Sequence, residues 1–331
     1  MFYIDSTSTD PCFNHAVEEY LLKNTQDEFF MLWRSDPCIL IGKNQNAYAE
    51  IDVDYVKTHN IKITRRITGG GAVFNDLGNI NFTFITNKEK DAPINFEKFA
   101  APIIAALHDL GIEALFSGRN DITIDGKKFS GNAQHVYKNR LLHHGTLLFS
   151  GNLTDLSSAL KPDPLKFQDK SVKSVASRVT NIGSHLKMPM TVLEFKAFLT
   201  QHVRNAYGIT QTYGFSQNEL AEINKISSGK YACWDWNFGH SPTYSFSNTK
   251  RFQGGMVQFN LDIDKGMIKD FKLYGDFFGE LDIADLENKL KGLRYDETDV
   301  QKALVQLDIQ KYLNNITLDE FLLGMFNSSK E

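Results

Sequence analysis

Arg65-Arg66-Ile67-Thr68-Gly69-Gly70-Gly71-Ala72-Val73-Phe74 sets two permanent cations beside three consecutive glycines. The stretch lies between segments that read as strands, Ile61 to Ile67 and Asn79 to Thr86. Three successive glycines lose more chain entropy on folding than a packing role offsets, so the backbone here is expected to lie against something close and anionic. The spacing is not that of a Walker loop, which needs a second glycine followed by Gly-Lys-Ser/Thr, and no G-x-G-x-x-G opens a helix. A ligand would therefore be met by a loop between strands. Taken alone, a wide hairpin turn is the other reading.

The strand after the loop alternates, with Asn79, Asn81 and Thr83 on one face and Ile80, Phe82 and Phe84 on the other. The polar set either lines a site or faces solvent. Further on, Ile122 to Ile124, Asp125-Gly126 and Lys127 to Ser130 form a hairpin signal of the Asp-Gly type. Pairing 124 with 127, 123 with 128 and 122 with 129 puts Asp121, Thr123, Lys128 and Ser130 on one face and Ile122, Ile124 and Phe129 on the other. Lys127 sits at the turn end, where its ammonium reaches water, so Lys128 is the lysine aimed into a polar face. Such a lysine suits a phosphate or a developing oxyanion, and equally a surface ion pair with Asp121.

Elsewhere the pattern is helix on sheet. Asp10 and Pro11 read as N-cap and first turn of a helix that buries Phe13, Ala16, Val17, Tyr20 and Leu21. Phe29 to Trp33 and Cys38 to Gly42 read as strands around the turn Ser35-Asp36-Pro37. A helix runs from Phe96 to a cap at Gly111, followed by strands at Ile112 to Phe116 and Leu141 to Phe149. Past Leu153 comes a loop with Lys161-Pro162-Asp163-Pro164, then helices at Thr191 to Tyr207 and Asn218 to Lys225. Asn237 to Asn248 reads as a linker, with a domain boundary near Ser245 dividing 1–245 from 246–331. A hairpin follows at Met256 to Ile263 and Met267 to Tyr274 around Asp264-Lys265-Gly266. Helices then lie near Ile283 to Leu293, Thr298 to Leu307 and Thr317 to Phe326, the last opened by a Thr317/Glu320 capping box.

With 42% hydrophobic residues in 331, the chain can bury a full core. Its 36 basic and 40 acidic residues leave a net charge of −4, so there is no general attraction for nucleic acid or an anionic membrane, and an anion site must be local. Met1 to Asp10 lacks a signal pattern and no apolar run approaches ~18 residues, so a cytoplasmic protein is expected. Cys12, Cys38 and Cys233 are too scattered for a disulfide framework or a metal knuckle. Cys38 and Cys233 read as core, and Cys12 near a helix start is a minor candidate for an activated thiol. His143-His144-Gly145 is strand-like and lacks an acidic or cysteine partner at metal spacing, which argues against zinc.

Taken in order, the glycine stretch extended through Asn75-Asp76-Leu77-Gly78-Asn79, Gly118-Arg119-Asn120-Asp121, Lys128-Phe129-Ser130-Gly131-Asn132-Ala133 and His143-His144-Gly145-Thr146-Leu147 resemble the lipoate–protein ligases, closest to the Gram-positive bacterial type. Ile41-Gly42-Lys43-Asn44-Gln45-Asn46 and Tyr274-Gly275-Asp276-Phe277-Phe278-Gly279 extend the resemblance over nearly the whole chain. It implies an α+β fold: a biotin/lipoate-ligase catalytic domain of mixed sheets with flanking helices, plus a small α+β accessory domain. The implied reaction joins lipoate and Mg-ATP into lipoyl-AMP. A lysine of an apo lipoyl domain then takes the acyl group, either in a 2-oxoacid dehydrogenase acyltransferase or in the glycine-cleavage H protein.

Carried over by residue, Lys128 matches the family's catalytic lysine. Arg66, Gly69, Gly70, Gly71 and His144, with Lys128, match lipoate contacts, His144 near the dithiolane end. Ile67, Ala72, Val73, Phe74, Asn75, Asn79, Asn120 and Asp121, again with Lys128, match nucleotide contacts. Position 67 is Ile where some relatives carry a polar residue, so its side-chain contact is in doubt. Asp121 is a candidate for the Mg2+ shell, and no zinc, haem or flavin is implied. An acyltransferase of the same fold would need a cysteine in or just after Lys128 to Ala133, and there is none. A non-catalytic lipoate or adenylate sensor is the reading from another class, with biotin ligase a weaker enzyme alternative.

Overall fold

The computed structural model describes residues 1–45, 47–88, 93–160, 178–238, 246–264 and 266–326. Its main layer is a seven-stranded sheet built from β1 (Phe2–Asp5), β2 (Phe29–Trp33), β6 (Asn79–Asn87), β7 (Ala114–Ser117), β8 (Asp121–Ile124), β9 (Lys127–Tyr137) and β10 (Arg140–Leu148). The spatial order is β1-β2-β6-β10-β9-β8-β7, parallel only between β1 and β2. β3 (Cys38–Ile41), β4 (Lys62–Arg65) and β5 (Val73–Asn75) form a smaller sheet in the order β4-β3-β5. The glycine loop therefore does not close a hairpin: it joins β4 to β5, both of which pair with β3.

Both faces of the large sheet are buried. Phe82 and Phe84 point into a core with Phe99 and Ile103 of helix Glu97–Asp109 and with Phe195 and Leu199 of helix Val192–Tyr207. Met31, Trp33 and Leu142 face the other way, into a core with Val17 and Leu21 of helix Pro11–Asn24 and Ile223 of helix Gln217–Ile226. Asp10 caps helix Pro11–Asn24, and capping boxes at Thr191/Glu194 and Ser216/Glu219 start helices Val192–Tyr207 and Gln217–Ile226. β6 is buried along Asn79 to Ile85, so the solvent-facing alternative for Asn79, Asn81 and Thr83 does not hold. Their side is roofed by the small sheet and the glycine loop.

The C-terminal domain has its own core, formed by the antiparallel sheet β11 (Phe246–Phe252), β12 (Gly255–Asp264) and β13 (Met267–Gly275) with helices Ile283–Leu290, Glu297–Leu304 and Leu318–Phe326. The expected linker through Asn248 overlaps β11: Phe246, Ser247 and Asn248 pair with Leu261, Asn260 and Phe259. A polar surface hid that strand, because only every second residue packs inward. The boundary near Ser245, the loop at 161–164 and Lys265 lie outside the described residues. The two domains touch through a Gly275 N–H to Asn44 O bond of 2.8 Å, a Lys43–Asp282 ion pair at 3.3 Å, and Phe278 against Phe96 with ring centroids 5.3 Å apart. Among the described residues no helix is long and apolar enough to cross a membrane.

Glu19, on helix Pro11–Asn24, ties the turn Ser227–Tyr231 to the core. It takes Lys230 Nζ at 2.8 Å, Lys23 Nζ at 2.7 Å and the Tyr231 hydroxyl at 2.7 Å. Burial alone would raise its carboxyl, but Lys230 foremost, with Lys23 and Tyr231, brings it down to about 2. The same burial lowers Lys230, so the pair contributes less than the carboxylate's shift by itself implies. With the folded value below the ordinary 4.5, this contribution is complete above pH 4.5 and is lost as pH falls toward 2. Glu19→Gln should therefore lower the urea midpoint near neutrality yet lose less of it between about pH 5 and pH 3 than the wild type; parallel pH profiles would refute this assignment.

Candidate active site

One row of paired residues crosses the large sheet: Asp121 opposite Gly131, Gly131 opposite Thr146, Thr146 opposite Asn81, and Asn81 opposite Trp33. Directly paired residues point to the same side, so these five positions form a strip about 19 Å long, four strand spacings. All five line a cavity of about 570 Å³ whose roof is the glycine loop and whose rim includes Arg251, Gly255 and Asp276 of the C-terminal domain. One end of the strip is charged. The other is aromatic and enclosed.

At the charged end the Asp-Gly hairpin forms as expected, with positive φ at both Asp125 and Gly126. Its register differs by one bulge: Ile124 pairs with Lys127 and Thr123 with Lys128, but Ile122 pairs with Ser130, leaving Phe129 extra. Gly131 rather than Ser130 thus stands opposite Asp121. A Cβ on Gly131 would lie 2.9 Å from Lys128 Nζ, so the missing side chain makes room for the ammonium. Lys128 Nζ is 2.7 Å from Asp121 Oδ1, and both side chains are partly open to the cavity. The surface ion pair and the polar site are thus the same structure.

Burial pulls Arg65 and Arg66 each down to about 10, so both stay charged at neutral pH. Neither is a loose cation. Arg65 spends its guanidinium on the carbonyls of Gly42, Lys43, Gln45, Trp236 and Asn237. Arg66 lines the cavity while donating to the carbonyls of Leu40, Gly69 and Gly71, each at 2.8 Å, and from Nε to Thr68 Oγ1 at 3.0 Å. Both guanidinium groups are held by backbone carbonyls, and Arg66 in this way shapes the loop that lines the cavity. Gly70 has φ +92° and faces the cavity; Gly69 is covered by the C-terminal domain, where a Cβ would meet Phe277 O at 2.3 Å.

The enclosed end is polar in a way the sequence reading missed. Glu18, fully buried, accepts from Thr83 Oγ1 at 2.6 Å, His15 Nδ1 at 2.8 Å and His144 Nδ1 at 3.0 Å. Thr68 Oγ1 accepts from Arg66 and lies 2.8 Å from His144 Nε2. Burial alone would raise the Glu18 carboxyl, but His144 foremost, then His15, hold it below the carboxylate range. His15, Glu18 and His144 offer ligand atoms within 4.8 Å of one another, so the absence of an acidic partner no longer argues against a metal; those atoms are engaged with each other and read as a hydrogen-bond network. The only available clue was His15 and Glu18 three apart on one helix. His143 faces the opposite core, stacked on Phe99 at 4.8 Å and bonded to Gln134.

Of the residues expected at the site, Arg66, Gly70, Gly71, Ala72, Val73, Phe74, Asn79, Asn120, Asp121, Lys128 and His144 line the cavity. Three do not. Ile67 turns into the core around Val17 and Leu142, Gly69 lies under Phe277, and Asn75 accepts from Asn79 Nδ2 behind the wall. Asn81, of the polar face expected either to line a site or to face solvent, lines it, and so do Trp33, Arg119, Arg178 and Arg251, for which no contact was expected. Arg119 also bridges the domains, donating to Gly254 O and, at 3.2 Å, to Asp276 O. No cysteine among the described residues lines the cavity: burial pushes the Cys12 thiol up and Cys38 up to about 12. Cys233 is half-buried beside an exposed Trp234, not core.

The family described as lipoyl protein ligase A/B catalytic domain matches residues 10–204, and that described as bacterial lipoate protein ligase C-terminus matches residues 241–323. The chain is 42% identical to the lipoate-protein ligase LplJ of Bacillus subtilis, over 97% of this chain and 99% of that one. The chain belongs to the lipoate–protein ligase family. It is also 40% identical to lipoate–protein ligase 1 of Staphylococcus aureus, over 97% and 98% of the two chains. Among solved structures, P. falciparum LipL1 in complex with lipoate aligns with a TM-score of 0.79 at 29% identity, over 97% of this chain and 96% of that one. A lipoate-protein ligase A bound with ATP aligns at 0.63 and 25%, over 72% and 98%. The fold expected of this ligase family, α+β with a C-terminal domain, is the one found.

The ligase fold makes its three glycines separable. Gly69→Ala should cost about 1–3 kcal/mol through overlap with the Phe277 carbonyl. Gly71→Ala, with nothing within 4 Å of the added Cβ, should leave thermal stability unchanged. Equal melting temperatures for the two variants would refute the proposed domain contact.

Proposed function

We propose that this protein is an ATP-dependent lipoate–protein ligase whose adenylation centre is the Lys128 end of the sheet strip and whose acyl tail lies toward Trp33. The observation that carries it is Lys128 placed between Asp121 and the vacant side of Gly131, on the floor of a cavity roofed by the glycine loop. In the first step a lipoate carboxylate oxygen attacks the α-phosphorus of ATP and pyrophosphate leaves. In the second, the ε-amine of an acceptor lysine attacks the acyl carbon, AMP leaves, and the amine loses a proton.

The Lys128 ammonium is a compact cation suited to both steps: it stabilises the crowded phosphate in the first and polarises the acyl carbonyl in the second. Arg119 and Arg251 add positive charge to the same rim, which gives a chain of net charge −4 a local pull on a polyphosphate. Gly70, Gly71 and Ala72 to Phe74 bring backbone and small side chains close to the nucleotide, with Asn79 and Asn120 as polar contacts; the backbone of Ile67 and Gly69 and the Asn75 amide would act from behind the wall. Asp121 fits a magnesium ion as a partly open carboxylate on the cavity wall, one oxygen ligand being usual when phosphates supply others. When bound, magnesium neutralises phosphate charge. The acceptor is a lysine of an apo lipoyl domain, in a 2-oxoacid dehydrogenase acyltransferase or the glycine-cleavage H protein.

Two measurements test this reading. Lys128→Ala should cut lipoate-dependent pyrophosphate release ~100-fold or more with an unchanged circular dichroism spectrum; release at the wild-type rate would remove Lys128 from the chemistry. Mass spectrometry of apo lipoyl domains incubated with enzyme, lipoate and Mg-ATP should show a lipoyl mass gain that vanishes without ATP. A gain without ATP would indicate acyl transfer from a bound donor instead.

A further inference from the structure

Two residues that line the enclosed end of the cavity each carry a buried polar atom without a partner among the described residues. His15, 1% exposed, lines the cavity from helix Pro11–Asn24, and its Nε2 has no hydrogen-bond partner among the described residues. Asn81, 3% exposed, lines it from β6, and its Nδ2 is likewise without a partner. The two belong to one corner: Asn81 pairs across the sheet with Trp33, whose ring packs edge-on against His15 with centroids 5.4 Å apart.

The protonation pattern of that corner follows from Glu18. As a carboxylate it can only accept, so His15 must present Nδ1–H to it and leave a lone pair on Nε2. The ring cannot turn to hide that lone pair, being stacked on Tyr231 at 5.7 Å and held against Trp33 and His144. Burial lowers the His15 imidazole more than Glu18 raises it, with His144 and Arg66 lowering it further, so the ring stays neutral. Asn81 Nδ2 is a donor in any state. His15 lines the cavity and Glu18, bonded to its Nδ1, does not.

We propose that this corner selects the reduced, dithiol form of the acyl tail: a thiol S–H donates to His15 Nε2, and a tail sulfur accepts from Asn81 Nδ2. This rests on the ligase reading of the cavity given above. From Gly131, beside Lys128, to Asn81 is two strand spacings, about 10 Å, which is the reach of an extended eight-carbon acyl chain. A saturated hydrocarbon tail leaves both atoms dry and unpaired. A cyclic disulfide can accept from Asn81 but has no hydrogen to give His15. Only the dithiol serves both. No bond at sulfur forms or breaks, because the oxidation state is set before binding.

An unpaired buried acceptor is costly, and a thiol is a weak donor, so the discrimination is put at about 5- to 30-fold in affinity. The test is calorimetric binding of dihydrolipoate, oxidised lipoate and octanoate to the full chain, alongside pyrophosphate release with Mg-ATP. Dihydrolipoate is kept reduced with a phosphine reductant, and octanoate with and without that reductant serves as control. The wild type should bind dihydrolipoate about 5- to 30-fold tighter than either competitor, and in His15→Leu the three affinities should converge within about twofold as octanoate improves. Equal wild-type affinities with pyrophosphate release intact would overturn the proposal alone, with no variant needed. An unchanged preference in His15→Leu would also overturn it. Loss of release with all three carboxylates would overturn the ligase reading, and this inference with it.

Discussion

Two buried guanidinium groups hold the loops from which the cavity is made. Arg65 gathers the carbonyls of the segment after β3 and of the turn at Trp236 and Asn237; Arg66 gathers those of β3 and of the glycine loop. Loop carbonyls this deep would otherwise be unpaired, and an arginine, with five fixed donors and no acceptor, satisfies several at once. The arrangement lets a glycine-rich segment stand open over the sheet without a helix or hairpin to support it. It also gives two adjacent arginines a structural use, as donors to buried loop carbonyls.

Beneath that roof the sheet does two jobs with one strand. β6 sends Ile80, Phe82 and Phe84 into the aromatic core and Asn79, Asn81 and Thr83 toward the cavity and the Glu18 network. Part of the buried polar face is paired: Thr83 takes the Trp33 indole N–H and donates to Glu18, and the Asn79 Nδ2 donates to Asn75. The carboxylate survives in the interior through such pairing, with three donors converging on it. Among the described residues, His15 Nε2 and Asn81 Nδ2 stay unpaired on residues that line the cavity where a substrate tail would lie.

The C-terminal domain is part of the site and not an appendage to it. Phe277 and Phe278 press on Gly69 and Gly70, and Arg119 reaches across to Gly254 and Asp276 while its guanidinium lies 4.7 Å from the Phe278 ring. These contacts, apolar at Phe278 and polar at Arg119, link the loop's position to the domain's through few groups.

The amino-acid sequence by itself determined the local elements and the chemistry of the charged end. Capping residues started helices where Asp10, Thr191, Ser216 and Thr317 stand, the Asp-Gly turn set its hairpin, and period-two alternation put Lys128 beside Asp121. These signals are short-range, carried by residues within a few positions of each other. Only the tertiary structure decided that Asp121, Gly131, Thr146, Asn81 and Trp33 share one row, that Phe129 bulges so that a glycine faces Asp121, and that His15, Glu18 and His144 meet. β2, β6 and β10 are far apart in sequence, so their register follows from which faces the whole fold can bury. A buried histidine or glutamate is invisible to hydrophobic periodicity, because what makes it tolerable is a partner on another element.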